Sequence, residues 1–240
     1  MPIEVNALET KRFGIVAARV VDDTATPDAI DSAAQAEGVR MLTVRIDTAD
    51  LARVRLLEAS GFRMMDTLVY YGRETGDLPL RPACPEGVTC RLAAPADAPA
   101  VADIARAGFA AYMGHYHADP NLDSAAADAA YVEWAETSTA RCCRNAPVII
   151  ADHEGRSAGF LALRMNRADE AEIVLNAVQP RMQGRGIYAV LLSEALHLAA
   201  SLGALRVITS TQIDNRAVQR VWIRQGFVPI RSLHTLHKWF

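Results

Sequence analysis

The run Arg181-Met182-Gln183-Gly184-Arg185-Gly186-Ile187-Tyr188 has the composition of a site that holds an anion. Gly184 and Gly186 let the backbone approach a bulky group closely, and Arg181 and Arg185 bring positive charge. Upstream, Ala171-Glu172-Ile173-Val174-Leu175-Asn176-Ala177-Val178 has the short, apolar, β-branched character of a buried strand. Downstream, Ile187, Val190, Leu191, Ala195, Leu198 and Leu202 fall on one helical face. The run therefore sits where a strand turns into a helix, so free backbone N–H groups and the positive end of the helix dipole converge there. A pyrophosphate is the natural guest, and a tight connection without a ligand is the plain alternative.

Pattern excludes two other phosphate loops. No Gly-Lys-Ser/Thr is present, and the dinucleotide fingerprint Gly-x-Gly-x-x-Gly meets Ala189 where its third glycine belongs. Glu172 is a carboxylate whose pKa burial beside apolar neighbours would raise toward the range useful to a general base. The alternative is a solvated acidic strand start, Asp169-Glu170-Ala171-Glu172. Phe109, Tyr112, His115, Tyr116, His117, Tyr131 and Trp134 form the densest aromatic and histidine cluster. Stacking faces with imidazole donors suit a sugar or nucleobase, and a loop packing its own aromatics is the alternative. His115 and His117 lack a third metal ligand, and Cys84, Cys90, Cys142 and Cys143 lack paired ligand spacing, so no metal is expected.

These residues need a scaffold. The chain has 240 residues, 51% hydrophobic and 22% charged, enough for one large domain or two small ones. A net charge of −3 excludes a nucleic-acid binder driven by electrostatics. No apolar stretch reaches the ~20 residues of a membrane span. The first residues, Met1-Pro2-Ile3-Glu4, lack a signal-peptide layout, so a cytoplasmic setting is expected, with no nucleic-acid and no membrane partner. The proline-rich stretch 76–87 reads as a linker between a small α/β domain, 1–75, and a larger domain, 88–240. In the first, strands near 14–21, 40–46 and 63–72 alternate with helices near 27–37 and 48–60. In the second, strand 88–92 precedes helices 95–109 and 124–142. Strands 147–153, 156–165 and 170–178, helix 185–202, strand 205–211, helix 215–225 and strand 227–239 follow. Such an order implies a mixed α/β sheet with helices on both faces.

The segment Gln183-Gly184-Arg185-Gly186-Ile187-Tyr188 resembles the acyl-CoA loop of the GCN5-related N-acetyltransferases (GNAT), Gln/Arg-x-x-Gly-x-Gly/Ala, with Tyr188 where a small residue is usual. Asp214-Asn215-Arg216-Ala217 followed by Gln225-Gly226-Phe227 resembles that family's Asn-x-x-Ala…Gly-Phe element, and the element order over 88–240 matches its fold. The resemblance implies acetyl-CoA as co-substrate. Gln183, Gly184, Arg185, Gly186, Ile187 and Tyr188 would hold the pyrophosphate. Leu175, Asn176, Ala177 and Val178 would hold the pantetheine arm through main-chain groups, with Asn215 and Trp222 on the following helix. Many members carry a tyrosine near the CoA sulfur, and here that position is Trp222. Glu172 matches the place of a catalytic glutamate in some members.

The N-terminal part echoes the C-terminal one. Arg40-Met41-Leu42-Thr43-Val44-Arg45-Ile46-Asp47 with Glu58-Ala59-Ser60-Gly61-Phe62 parallels Arg206-Val207-Ile208-Thr209-Ser210 with Arg224-Gln225-Gly226-Phe227. It lacks the glycine-arginine loop, so it reads as a half-GNAT unit without a CoA site. A narrower resemblance is to the TDP-fucosamine acetyltransferase group, through Glu9-x-x-x-Phe13-Gly14, Tyr131-x-x-Trp134 and the ending His237-Lys238-Trp239-Phe240. It implies N-acetylation of an amino group on a nucleotide-linked deoxysugar, with Tyr112, His115, His117, Tyr131 and Trp134 at the acceptor, and a homodimer. Another small amine acceptor, or a CoA-binding module without turnover, stays open.

Overall fold

The computed structural model describes residues 1–240. In chain order the elements are β1 (Ile3–Val5), α1 (Ala7–Phe13), β2 (Ala17–Val20), α2 (Pro27–Ala36), β3 (Met41–Asp47), α3 (Leu51–Ala59) and β4 (Arg63–Glu74). Then come β5 (Val88–Leu92), α4 (Ala98–Phe109), α5 (His115–Ala118), α6 (Ser124–Ala140), β6 (Val148–His153), β7 (Arg156–Arg167) and β8 (Glu170–Val178). The chain closes with α7 (Ile187–Ser201), β9 (Arg206–Gln212), α8 (Arg216–Arg224) and β10 (Val228–Trp239). No helix is long and apolar enough to cross a membrane.

Two compact units result, and neither is one continuous stretch. Unit 1 holds Met1–Val69, Met113–Ala127 and Arg231–Phe240, and unit 2 holds Tyr70–Tyr112 and Asp128–Ile230. The units therefore do not part at the expected boundary of 76–87. The reason lies in strand pairing. In unit 1 the strand order is β1-β2-β3-β10-β4, and in unit 2 it is β4-β9-β8-β7-β6-β5. Each unit is completed by a strand from the other half of the sequence, and periodicity within a strand does not specify which sheet it joins.

In unit 1, β10 pairs antiparallel with β3 from Met41↔Trp239 to Asp47↔Leu233. Leu42, Val44 and Ile46 of β3 pack with Ile30 and Ala34 of α2, Val54 and Leu57 of α3, and Leu236 of β10. On the opposite face Met41 meets Ala17 and Leu122, with Phe13, Ile15, Tyr116 and Trp239 around them. The strands and helices expected over 14–72 are present within a few residues. β1, α1 and α5 were not expected. α1 is too short to show periodicity and is set by its caps: the Asn6 side chain accepts the Glu9 N–H at 3.2 Å, and Gly14 closes it with φ +66°.

Unit 2 carries the antiparallel run β5–β6–β7–β8 and the parallel pair β8/β9. The β6–β7 hairpin turns at Glu154 and Gly155, both left-handed with φ 50° and 75°, the type I′ combination. α4 begins after a 3-10 turn at Pro95–Asp97, where Arg91 bonds the Asp97 carboxylate at 2.8 Å, rather than running unbroken from 95. Gly108 on α4 lies where an added Cβ would meet Ala177 Cβ at 2.8 Å, so glycine is required for that helix to approach β8.

Candidate active site

The feature that organises unit 2 is a strand pair that opens. β8 pairs with β9 only from Glu170↔Arg206 to Ile173↔Thr209, while β8 continues to Val178 and β9 to Gln212. On its other side β8 stays paired to β7, but the register jumps from Ala162↔Leu175 to Leu163↔Ile173, leaving Val174 unmatched. That extra residue is a β-bulge, and a bulge bends its strand and increases the local twist. It falls where β8 leaves β9. The β9-facing backbone groups of Leu175, Asn176, Ala177 and Val178 are therefore without a strand partner and can pair with an extended ligand.

The chain then enters the loop. A 3-10 turn at Pro180–Met182 leads through Gln183, Gly184 and Gly186 into α7. Gly184 has φ +76° and Gly186 has φ +80°, conformations that L side chains rarely adopt. Gln183 Nε2 donates to the Val178 carbonyl at 3.2 Å and ties the loop to the end of β8. None of the backbone amides from Gly184 to Ala189 donates to a backbone acceptor. They cluster at the start of a long helix, beside the exposed Arg181 and Arg185, which fits a diphosphate. No three His, Cys, Asp or Glu side chains converge to hold a metal ion.

α8 follows β9 and is capped by Asn215. Its Oδ1 accepts the Val218 N–H at 3.5 Å, and its Nδ2 donates to Thr211 Oγ1 at 3.0 Å. Trp222 does not present its ring to a ligand: it is 1% exposed and packed against Tyr71 with ring centroids 5.4 Å apart. Its indole N–H donates to the Tyr188 hydroxyl at 2.7 Å. Burial drives the Tyr188 pKa well above the usual phenol value, and the bond from Trp222 offsets only part of that. Tyr188 is thus a neutral phenol, aimed at α8 rather than into the anion loop. No sequence pattern could reveal this pairing of residues from two helices.

Glu172 faces Arg164 across the β7/β8 pair rather than an apolar wall. Its Oε2 accepts from Arg164 at 2.7 Å and from Asn166 at 3.0 Å. Both bonds fall on the same oxygen. Sequence reasoning missed Arg164 and Asn166 as its partners, although a cross-strand cation opposite a carboxylate is a common sheet pairing.

The five candidate acceptor residues divide between the units. In unit 2, Tyr112 and Tyr131 form a cluster with Phe109, with Tyr131 stacked on Phe109 at 5.0 Å and the Tyr112 hydroxyl bonded to Gln212. Trp134 is 41% exposed. In unit 1, His117 Nδ1 accepts the Gly114 N–H at 3.2 Å. His115 is buried, with Nδ1 2.9 Å from His237 Nε2, and His237 Nδ1 lies 2.7 Å from Asp119 Oδ2. Burial opposes ionisation of Asp119, but donors from His237, Trp239 and the Asn121 N–H outweigh it and hold its pKa below normal. Burial, reinforced by His237, pushes the His115 pKa well below its usual value. His115 thus closes an internal Asp–His–His chain, which the sequence cluster did not reveal because Asp119 and His237 are far apart along the chain.

A strand pair that parts, followed by an anion-binding loop and a helix, is the arrangement of the GNAT fold. The family model described as Acetyltransferase (GNAT) family matches residues 111–227, a little under half of the chain. SpsD, a spore coat polysaccharide biosynthesis protein of Bacillus subtilis, is 30% identical over 145 residues, 60% of this chain and 48% of that protein. A mycothiol acetyltransferase of Tsukamurella paurometabola is 29% identical over 186 residues, 74% of this chain and 61% of that protein. The chain thus spans 48% and 61% of the length of these two curated relatives. Among solved structures, a GCN5-related N-acetyltransferase from Sphaerobacter thermophilus has a TM-score of 0.69 at 16% identity, covering 99% of this chain and 76% of that one. A tandem GNAT protein from the clavulanic acid biosynthesis pathway has a TM-score of 0.65 at 16% identity, covering 93% and 75%. At such identities these two likenesses concern the fold.

Proposed function

We propose that the chain is an acetyl-CoA-dependent N-acetyltransferase acting on a primary amine, with the amino group of a nucleotide-linked amino-deoxysugar as acceptor. The observation that carries the reading is the opened β8/β9 pair running into the unpaired amides of the Gly184–Ala189 loop. One extended ligand with a diphosphate at one end satisfies both features. In this reading the Gly184–Ala189 amides and Arg185 hold the pyrophosphate, and the free edge of Leu175–Val178 holds the pantetheine arm. A backbone N–H of that edge polarises the thioester carbonyl.

The amine attacks the carbonyl carbon, a C–N bond forms, and the C–S bond breaks with its electron pair going to sulfur. The amine loses a proton, for which Glu172 is the acceptor in this reading. The relationship to SpsD, whose name places it in polysaccharide biosynthesis, supports a sugar amine. The relationship to a mycothiol acetyltransferase over a larger part of the chain supports a second reading, another small-molecule amine. Release of CoA thiol from acetyl-CoA, measured across amino-sugar nucleotides, amino acids, polyamines and aminoglycosides, tests both. Turnover confined to non-sugar amines removes the sugar reading. Tight CoA binding with no turnover on any amine favours a CoA-binding module.

A further inference from the structure

Two thiols meet beside the anion loop, and acyl transfer as described above uses neither. Cys84 and Cys90 flank the turn Pro85-Glu86-Gly87-Val88, which the Val88 N–H closes on the Pro85 carbonyl at 2.9 Å. Gly87 takes the left-handed backbone, φ +71°, that such a reversal favours at its third residue. The Glu154 N–H donates to the Gly87 carbonyl at 3.0 Å and pins the turn to the β6–β7 hairpin. Folded back in this way, the exposed Cys84 side chain forms a hydrogen bond with that of the half-buried Cys90 on β5. Both are free thiols, and both lie in unit 2 with the anion loop. The same stretch of chain leans on α7. Pro85 Cγ stands 3.5 Å from where a Cβ on Gly186 would be, and Arg81 pairs with Glu194 at 3.3 Å. The two thiols therefore bracket a proline that touches the glycine opening α7.

We propose that Cys84 and Cys90 are a reversible dithiol–disulfide site, oxidised by a low-molecular-weight disulfide, whose closure weakens the grip of the adjoining anion loop on CoA. The modification site stands apart from the acyl-CoA reading, and its effect on the ligand rests on that reading. The exposed Cys84 thiolate attacks one sulfur of the oxidant. The oxidant's S–S bond breaks, a mixed disulfide forms on Cys84, and one small thiolate leaves with the electron pair and takes a proton from solvent. Cys90 then gives its proton to solvent, attacks the Cys84 sulfur and expels the second small thiolate. Two protein thiols are oxidised and one small disulfide is reduced to two thiols. Burial pushes the Cys90 thiol pKa up to about 12, and Cys84 and the Glu194 carboxylate add to it. The reduced pair therefore lacks the thiolate stabilisation that makes a dithiol easy to keep reduced, and the disulfide releases Cys90 slowly. Closure takes the sulfurs from hydrogen-bonding contact to about 2.05 Å, which shifts the turn and the proline it carries. The loop presents its amides with the thiols apart, so CoA and the disulfide compete for the position of Pro85.

The test reads the dithiol and the ligand separately. The full chain is incubated with oxidised glutathione, alkylated, digested with trypsin and weighed. The fragment over residues 74–91, which holds both Cys84 and Cys90, is expected to be two hydrogen atoms lighter and unalkylated, and dithiothreitol should restore both thiols. Cys84→Ser and Cys90→Ser should each abolish the change, whereas Cys142→Ser/Cys143→Ser should keep it. By calorimetric titration the oxidised wild type should bind CoA about 3- to 10-fold more weakly than the reduced protein. By linkage, saturating CoA should move the equilibrium toward the dithiol by the same factor. Glutathione adducts or unreacted thiols in place of the linked fragment, in wild type folded by circular dichroism, overturn the site. A linked fragment with equal CoA affinity in the two states overturns the coupling to the loop. Wild type that forms the disulfide but binds no CoA in either state overturns the acyl-CoA reading and leaves the disulfide site standing.

Discussion

Gly184→Ala isolates the conformational contribution of the anion loop. Gly184 has φ +76° and nothing within 4 Å of where a Cβ would stand, so alanine meets no clash and pays only for the left-handed backbone. That penalty is about 1–2 kcal/mol. The loop is exposed, so in the free variant it should relax to an ordinary conformation and turn its amides away. The penalty then appears when CoA pulls the loop back, as a dissociation constant about 5- to 30-fold weaker. Gly184→Asn should lose less, because asparagine visits this region more readily. Gly38→Ala is the control: its φ is +62°, the space around it is also open, and it lies in unit 1. It should lower Tm and leave CoA binding unchanged. Calorimetric titration with CoA, with a thermal melt of each variant, reads both quantities. Wild-type CoA affinity in Gly184→Ala, or equal weakening by Gly38→Ala, would refute the assignment of the loop.

Asn215→Ala removes both the Val218 cap and the bond to Thr211, and should cost about 1 kcal/mol of stability, read as a Tm lower by roughly 2–4 °C. Because His115 is held neutral when folded but takes a proton below about pH 6.5 when unfolded, its contribution is present above that pH and lost as pH falls. Stability measured by urea unfolding should therefore fall from pH 7 to 5 by at most about 1.4 kcal/mol per pH unit from this group, and His115→Gln should flatten the slope. Glu172→Gln keeps an acceptor for Arg164 but removes the base; kcat should fall at neutral pH and lose its acidic limb, and an unchanged pH profile would exclude the role.

The parts of the fold set by local pattern were legible. The apolar, β-branched run of β8, the apolar face of α7 and the Asn215 and Gly226 ends of α8 each identify an element within a few residues of its observed span. The anion loop was legible for the same reason, since Gly184 and Gly186 announce a backbone that other residues disfavour. What was not legible depends on pairs distant in sequence. The division of the chain between the units turns on β10 lying beside β3. The environment of Glu172 turns on Arg164, and the hydroxyl of Tyr188 has meaning only beside Trp222. His115, one of an exposed-looking aromatic string, is internal because His237 and Asp119 meet it there. Residue type signals chemistry; tertiary pairing decides whether a ligand can reach it.

The placement of β10 beside β3 in unit 1 bears on how the protein is made. As the ribosome releases the chain from its amino end, β1, β2, β3 and α2 emerge early, yet β3 waits for Leu233–Trp239 before its edge is covered. During that interval it presents unpaired backbone and invites pairing with a neighbouring chain. Closing a contact as long-range as Met41 with Trp239 is slow, so the nascent protein is exposed to misassembly until Leu233–Trp239 has been made and has paired. A deletion within the final strand therefore strikes the amino-terminal unit first, and a nonsense or frameshift change near codon 231 should yield aggregates rather than a shortened enzyme.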